Sequence, residues 1–259
     1  MSTRDKKIKL FLSLNNSRVS GIENFVLLVI KYINKKMYDI TVALPFKGEM
    51  CCELDRLGVK YIIFDSVNRK PYSFIGIVRL LFHFITHRYD IVHANAGIVP
   101  CVLAKLLFFP LSIEHKHGLD FTHEKRERMK GLILAYEKAK KYFTDFTLTG
   151  CESDRRFLVE KLGYKPSGVI TLYNGIDNTF ENENGKIRDD EIVIGTIGRL
   201  AYQKAQEYFI GMAALILEKR KELKIRFDIW GEGEEKENYK KLIKSSRLEN
   251  NVFLFGYAY

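Results

Sequence analysis

Short runs of β-branched and aromatic residues recur along this chain, and each is followed by a stretch of helical length with apolar residues on one face. That alternation constrains the fold more than any other feature. Strands separated by helices pair in parallel, because a parallel connection needs a crossover of a dozen or more residues. Strands are expected at Lys7–Leu14, Asp39–Leu44, Lys60–Phe64, Ile91–Ala94, Leu111–His115, Phe143–Thr149 and Val169–Leu172. Helices fall near Ile22–Asn34, Met50–Leu57, Ser73–His87, Val99–Phe108, Thr122–Lys141 and Ser153–Leu162. Ser153 suits an N-cap and Gly163 a left-handed C-terminal stop.

Asn178–Asp190 (NTFENENGKIRDD) breaks the pattern with turn-forming and charged residues, as a linker does. The alternation then resumes with strand Ile192–Ile197, helix Lys204–Lys221, strand Ile225–Trp230, helix Glu235–Ser245 and strand Val252–Phe255. The expected fold class is α/β, with two Rossmann-like domains and parallel sheets. Residues 1–175 form the first domain, 176–190 the linker, and 191–259 about half of a second doubly wound domain. That second domain is expected to be incomplete, with an open edge on Ile192–Ile197.

Charge divides along the same line. Residues 1–173 hold 28 Lys+Arg against 17 Asp+Glu, a net +11, whereas residues 174–259 hold 14 against 15. The asymmetry points to an anionic partner for the first domain, with plain solubility charge as the alternative. Within it, Thr122–Lys141 carries Lys125, Arg126, Arg128 and Lys130 on an amphipathic stretch that suits an anionic membrane surface. A solvated helix face explains it equally well. No module interleaves cations with stacking aromatics, so nucleic acid is not expected. The longest apolar stretch, Ile98–Ile113, is interrupted by Pro100, Lys105 and Pro110, and no signal-peptide core opens the chain. A cytoplasmic protein is expected, peripheral on the inner face of the membrane at most. Cys51, Cys52, Cys101 and Cys151 show no metal-type spacing and are expected to be small buried hydrophobes.

Candidate site residues lie where strands end, because helix N-termini there present free N–H groups. After the first strand comes a small polar loop, Asn15 to Glu23, containing Ser20 and Gly21; it is not G-x-G-x-x-G. After strand Ile192–Ile197 come Gly198, Arg199 and Lys204, a fork and a point charge suited to phosphate oxygens, unless both cations are simply solvated. Gly231, Glu232 and Gly233 follow the next strand, where ordinary turn chemistry is an equal explanation. His93 closes one strand, and His115 and His117 close its neighbour. His115-x-His117 would be half a metal site, but no third ligand follows at a recognised spacing. Hydrogen bonding to a substrate is the favoured role.

In order, SGIENFVLLVIKYI, YDIVHAN, HKHG, GCESDRRFLVEKLGYKPSGVITLYNGID, IGTIGRLAYQKAQEYFI, FDIWGEGEEKENYKKLI and NNVFLFGY resemble a retaining glycosyltransferase of family 4 with the GT-B fold. The resemblance runs through essentially the whole chain. It implies transfer of a sugar from a nucleotide-sugar to an acceptor hydroxyl of a surface polysaccharide or glycolipid, with no metal and no cofactor. The acceptor is implied to be lipid-linked or saccharide. It casts Arg199 and Lys204 as the cations on the donor diphosphate, and His117 as the histidine that contacts the transferring sugar. Gly21, Gly198, Gly231, Glu232 and Gly233 fall on the donor side, and Ser20, His93 and His115 on the acceptor side. Ser20 stands where the family has the first of two glycines. The family's E-x7-E segment has no counterpart here, since Glu152/Glu160 and Glu183/Glu191 match only its spacing. The rival expectation is a truncated, inactive remnant that binds at most an anion or a membrane.

Overall fold

The computed structural model describes residues 6–65, 72–118, 130–177 and 191–256. The chain separates into two compact units, 1–179 and 180–259. The first therefore runs slightly past the expected domain end: Lys31 and Tyr32 both bond the Asp177 carboxylate, which ties the exit strand's tail to the first helix. Residues 178–190, the core of the expected linker, lie outside the described residues.

The first unit is a seven-stranded parallel sheet. Its strands are β1 (Ile8–Ser13), β2 (Tyr38–Leu44), β3 (Lys60–Ile63), β4 (Ile91–Ala94), β5 (Leu111–Lys116), β6 (Phe146–Thr149) and β7 (Val169–Thr171). They lie in the order β3-β2-β1-β4-β5-β6-β7, so the order reverses beside β1. In such sheets ligands bind at the carboxyl ends, near that reversal. Helices α1 (Gly21–Tyr32) and α2 (Glu49–Arg56) pack on one face over Leu10, Leu12, Val42 and Leu44. On the other face α3 (Phe74–Thr86) and α4 (Val99–Leu106) cover Phe11, Ala43 and Val92. Both faces of β1 are thus buried, and each fully buried Leu or Phe there stabilises the sheet by roughly 1.5–3 kcal/mol. α5 (Lys130–Lys140) and α6 (Glu152–Leu162) complete the unit.

Two local expectations are corrected, and a third falls largely outside the described residues. Cys151, not Ser153, caps α6, because the helix starts at Glu152 and places Ser153 inside its first turn. Phe143–Asp145 form a turn and not the start of a strand: Phe143 N–H still bonds Lys140 O, and Asp145 N–H turns to Ser112 O. Of the expected helix Thr122–Lys141 only α5 is described, so Lys125, Arg126 and Arg128 lie outside the described residues and Lys130 opens α5. Gly163 does adopt the left-handed stop, with φ 68°. Cys51 and Cys101 are buried as expected, but Cys52 is exposed.

The second unit holds β8 (Ile192–Ile197), α7 (Gln206–Lys219), β9 (Ile225–Trp230), α8 (Lys236–Ser245) and β10 (Val252–Phe255), with parallel sheet order β10-β9-β8. Phe227 and Ile229 of β9 pack with Leu200, Ile210 and Tyr239 in one core. Among the described residues β8 is an edge strand. Ile192, Val193 and Ile197 on it are exposed, Ile197 to 79%.

Candidate functional site

Among the described residues, four strands of the first sheet end in polar side chains without hydrogen-bond partners. Ser13 Oγ ends β1, and Asn15 Oδ1 follows it. His93 Nε2 and both amide atoms of Asn95 lie at the end of β4. Both ring nitrogens of His115 and Nε2 of His117 lie at the end of β5, and Thr149 Oγ1 ends β6. All these atoms are buried. A buried polar atom without a partner costs about 1–3 kcal/mol, and such atoms are rare in native proteins. Their concentration at the carboxyl edge marks a surface shaped to be completed by a hydrogen-bonding ligand.

Register brings the histidines together. His93 lies opposite Ile113 in the parallel pair β4/β5, so the alternation of β5 puts His115 and His117 on the same face as His93. The rings stack in a row. His93 and His115 centroids are 5.7 Å apart, and His115 and His117 are 4.0 Å apart. Phe25 of α1 meets His115 at 4.8 Å and 89°, and His117 at 5.2 Å and 67°. Burial lowers all three imidazoles, His93 and His117 to about 4 and His115 to about 3. Like-charge neighbours add to this for two of them: His117 for His93, and His117 and His93 for His115. At neutral pH the row is uncharged, so each ring offers one donor and one acceptor, a pairing suited to hydroxyl groups. Among the described residues no group of three or more His, Cys, Asp or Glu is placed to hold a metal ion.

The opposite face of β5 anchors this row. Glu114 and Lys116 alternate with the histidines and meet α5 in a buried ring of charges. Lys116 bonds Glu114 at 3.1 Å and Glu137 at 2.5 Å; Lys140 bonds Glu114 at 2.5 Å and Glu137 at 2.9 Å. Burial alone would raise the Glu137 carboxyl, but the two ammonium groups outweigh it and hold it below the ordinary range. Tyr164 OH donates to Glu137 O at 2.7 Å and pins the helix further. Lys140, which reads in sequence as part of a basic surface, therefore points inward. Lys141 likewise donates to Gly163 O at 3.1 Å.

Ser20 and Gly21 open α1 beside this edge. The Ser20 hydroxyl donates to the buried carboxylate of Glu23. A Cβ on Gly21 would meet nothing within 4 Å, so the fold does not itself require glycine there.

In the second unit the predicted residues meet in two interlocked loops. Gly198 N–H donates to Trp230 O at 2.9 Å, Leu200 N–H to Glu232 O at 2.9 Å, and Glu235 N–H to Leu200 O at 3.0 Å. Gly231, at φ 142°, would put a Cβ 2.0 Å from Gly198 O, and Gly233 one 2.2 Å from Leu200 O. These glycines are required by the packing of one loop on the other. Glu232 is held by Lys236 at 2.6 Å. Arg199 is exposed, with Gln203 Oε1 at 3.2 Å and Glu234 Oε1 at 3.8 Å. Lys204 does not open the helix as its spacing suggests. It ends a 3-10 turn, Tyr202–Lys204, and the chain passes through Ala205 at φ 52° before α7 begins. Gln206, invisible as a site residue in sequence, is buried and spans the loops: its Nε2 donates to Arg199 O at 3.1 Å and its Oε1 accepts from Tyr239 at 3.2 Å.

Comparison with known proteins identifies the family and the fold. The model of Glycosyltransferase Family 4 matches residues 19–180, and that of Glycosyl transferases group 1 matches residues 177–259. An uncharacterized glycosyltransferase of Methanocaldococcus jannaschii is 30% identical over 250 residues, which are 85% of this chain and 59% of the relative. The poly(ribitol-phosphate) alpha-N-acetylglucosaminyltransferase of Staphylococcus aureus is 30% identical over 155 residues, which are 53% of this chain and 30% of the relative. The chain thus spans less than two thirds of the length of either. The crystal structure of Anabaena HepE in complex with UDP and glucose superposes with a TM-score of 0.73 at 18% identity, covering 97% of this chain and 70% of that one. Likeness at that identity speaks to the fold, which is GT-B.

Proposed function

The chain belongs to glycosyltransferase family 4, and we propose that it transfers a sugar from a nucleotide-sugar donor to a hydroxyl of a saccharide or lipid-linked acceptor, with retention at the sugar carbon. The observation that carries this reading is the row of neutral, partnerless imidazoles with Ser13, Asn95 and Thr149 at one sheet edge. Hydroxyl-rich ligands supply both donors and acceptors, and neutral histidines answer both without adding charge. His117 is assigned to the transferring sugar, and His93, His115 and Ser20 to the acceptor side.

Arg199 and Lys204 are assigned to the donor diphosphate. Charge accumulates on that group as the glycosidic bond breaks, so cations held there favour the transition state over the bound substrate. The interlocked glycines and Gln206 give the Arg199 loop a fixed backbone, while the guanidinium itself stays exposed to a ligand. Support for the donor class comes from the Anabaena structure, solved with UDP and glucose. Support for a polymeric acceptor comes from the Staphylococcus aureus relative, whose name gives poly(ribitol-phosphate) as its acceptor. A cell-surface polysaccharide or glycolipid, met at the cytoplasmic face of a membrane, is the matching substrate class.

The test is nucleoside-diphosphate release from a panel of UDP-, GDP- and ADP-sugars, with and without acceptor. One donor should bind and turn over, and Arg199→Ala or Lys204→Ala should lower turnover by about 10²-fold, as removal of one charge-stabilising donor does. If no nucleotide-sugar binds the folded chain, the reading fails.

A further inference from the structure

We propose that the carboxyl edge carries a second hydroxyl-binding subsite, built from Ser13, Asn15 and Tyr72, which takes the sugar unit of the acceptor next to the one that reacts. The partnerless groups of this edge fall on two faces of the sheet. Leu12 lies opposite His93 and packs under α1, so the imidazole row is on the α1 side. Ser13 lies opposite Ala94, which packs with Ile98 and Cys101 at the start of α4, so Ser13 is on the α3/α4 side. The edge therefore serves two separate clusters, and only the first is made of histidine.

Tyr72 closes the second cluster. Its ring stacks on Phe64, with centroids 5.4 Å apart and planes at 20°, and its hydroxyl donates to Ala96 O at 3.1 Å. Gly97, at φ 79°, makes room for it: a Cβ there would lie 2.7 Å from the Tyr72 ring and 3.3 Å from the Asn15 amide. Ring, glycine and amide thus meet at one point by the end of β1. Burial pushes the Tyr72 phenol above its ordinary range, against a lowering contact from the Ser13 side chain, so that hydroxyl belongs to the same cluster. Asp65 fixes the backbone beside it, its Oδ2 accepting from Ser73 N–H at 2.9 Å. Tyr72 itself sits at φ 61°, a left-handed conformation rare for an aromatic residue. Such strain clusters where a protein binds or reacts.

Hydrogen-bonding capacity selects the ligand. Among the described residues Ser13 Oγ and Asn15 Oδ1 are buried without a partner, and the Tyr72 proton is spent on Ala96 O. The cluster therefore offers acceptors: the amide oxygen, the phenol oxygen and the serine hydroxyl, which also donates. An ionised phosphate or carboxylate only accepts, and leaves the first two unmet. A sugar hydroxyl donates and accepts. Asn15, Tyr72, Ala96 and Gly97 are each half-buried, so the cluster opens to the surface. β4 separates β1 from β5, which puts the cluster two strand spacings, about 10 Å, from His115 and His117. One sugar ring does not span that distance, and two linked rings do. The proposal deepens the reading of a saccharide acceptor and rests on it: the recognised end is a disaccharide or longer.

The test is direct saccharide binding by the 259-residue chain without nucleotide-sugar. An array of mono-, di- and trisaccharides of glucose, galactose, mannose, rhamnose and N-acetylglucosamine finds the best disaccharide, which is then titrated by NMR beside its terminal monosaccharide. The disaccharide should bind about tenfold tighter or more. Asn15→Ala should remove about threefold to tenfold of that advantage, as should Tyr72→Phe, which keeps the ring against Phe64 and Gly97 and deletes only the hydroxyl. His115→Asn should weaken both ligands. Ser13→Ala should weaken the disaccharide without lowering the melting temperature, because the hydroxyl it removes has no partner in the fold. A monosaccharide that binds as tightly as the disaccharides containing it, disaccharide binding unchanged in Asn15→Ala and Ser13→Ala, or a lowered melt in Ser13→Ala would each overturn the subsite. Binding to no saccharide would overturn it too; nucleoside-diphosphate release, read separately, decides sugar transfer itself.

Discussion

Acidification should unfold the first unit well before its carboxylates protonate, and His93 should account for a definable share of that loss. In the unfolded chain an imidazole titrates near 6.5, whereas burial holds His93 at about 4 in the fold. Between those values the unfolded state binds more protons, so stability is full above pH 6.5 and falls as pH drops toward 4. For one such group the loss between pH 7 and pH 5 is about 2 kcal/mol, with nearly all of it from protonation of the unfolded imidazole. Against a total stability of roughly 5–15 kcal/mol, that is a large fraction. His115 and His117 shift in the same direction and add to it. His83, on α3 and away from the row, is also held low, at about 4. The wild-type curve therefore reports several histidines, and a variant is needed to isolate one. Urea unfolding followed by far-ultraviolet circular dichroism at pH 7, 6 and 5 should show a steeper loss in the wild type than in His93→Asn, by about 2 kcal/mol over the interval. Identical slopes in the two proteins, or a His93 ring that titrates near 6.5 by NMR, would refute the argument from burial.

Gly231→Ala and Gly233→Ala should each unfold or severely destabilise the second unit, because the added Cβ would lie 2.0 or 2.2 Å from backbone oxygen. The single tryptophan, Trp230, provides the fluorescence signal for that unit. Gly21→Ala should leave the melt within about 0.5 kcal/mol of wild type, since its Cβ would meet nothing; a fall in sugar transfer without a fall in stability would then locate a ligand against α1. Lys140→Met should cost about 3–5 kcal/mol by leaving Glu114 and Glu137 undercompensated in the interior, measured by urea unfolding of the first unit. A cost under 1 kcal/mol would show that the charge ring is solvated.

The backbone was largely legible in the sequence because parallel α/β packing repeats one local rule. Strands β4, β8, β9 and β10 lie at the expected residues, since each is a short, mostly apolar run bounded by polar or turn residues on both sides. Misplaced boundaries have local causes of another kind. Lys204 reads as a helix start because Gly198–Lys204 looks like a strand-to-helix turn. The left-handed Ala205 that delays α7 leaves no mark in an alanine. Ser153 is a better capping residue than Cys151 by propensity, but α6 begins where the strand end delivers it.

Side-chain partners were less legible, and β5 shows why. Its sequence Leu111-Ser-Ile-Glu-His-Lys-His117 alternates charge with imidazole, a pattern that looks too polar for a central strand. The alternation separates two functions by face. Glu114 and Lys116 find their counter-charges on α5, more than twenty residues away, and so become a buried ring that no local pattern announces. His115 and His117, on the other face, find Phe25 and His93 and no hydrogen-bond partner. A central strand can bear this many polar groups only if each is satisfied, by the chain or by what it binds. Among the described residues the charges are answered and the imidazoles are not, so β5 is held from behind by ion pairs and leaves its ring nitrogens for a ligand in front. Precise placement of the histidines then depends on the ring. Lys140→Met should therefore disturb ligand contacts at His115 and His117 as well as stability, although Lys140 lies on the opposite side of the sheet.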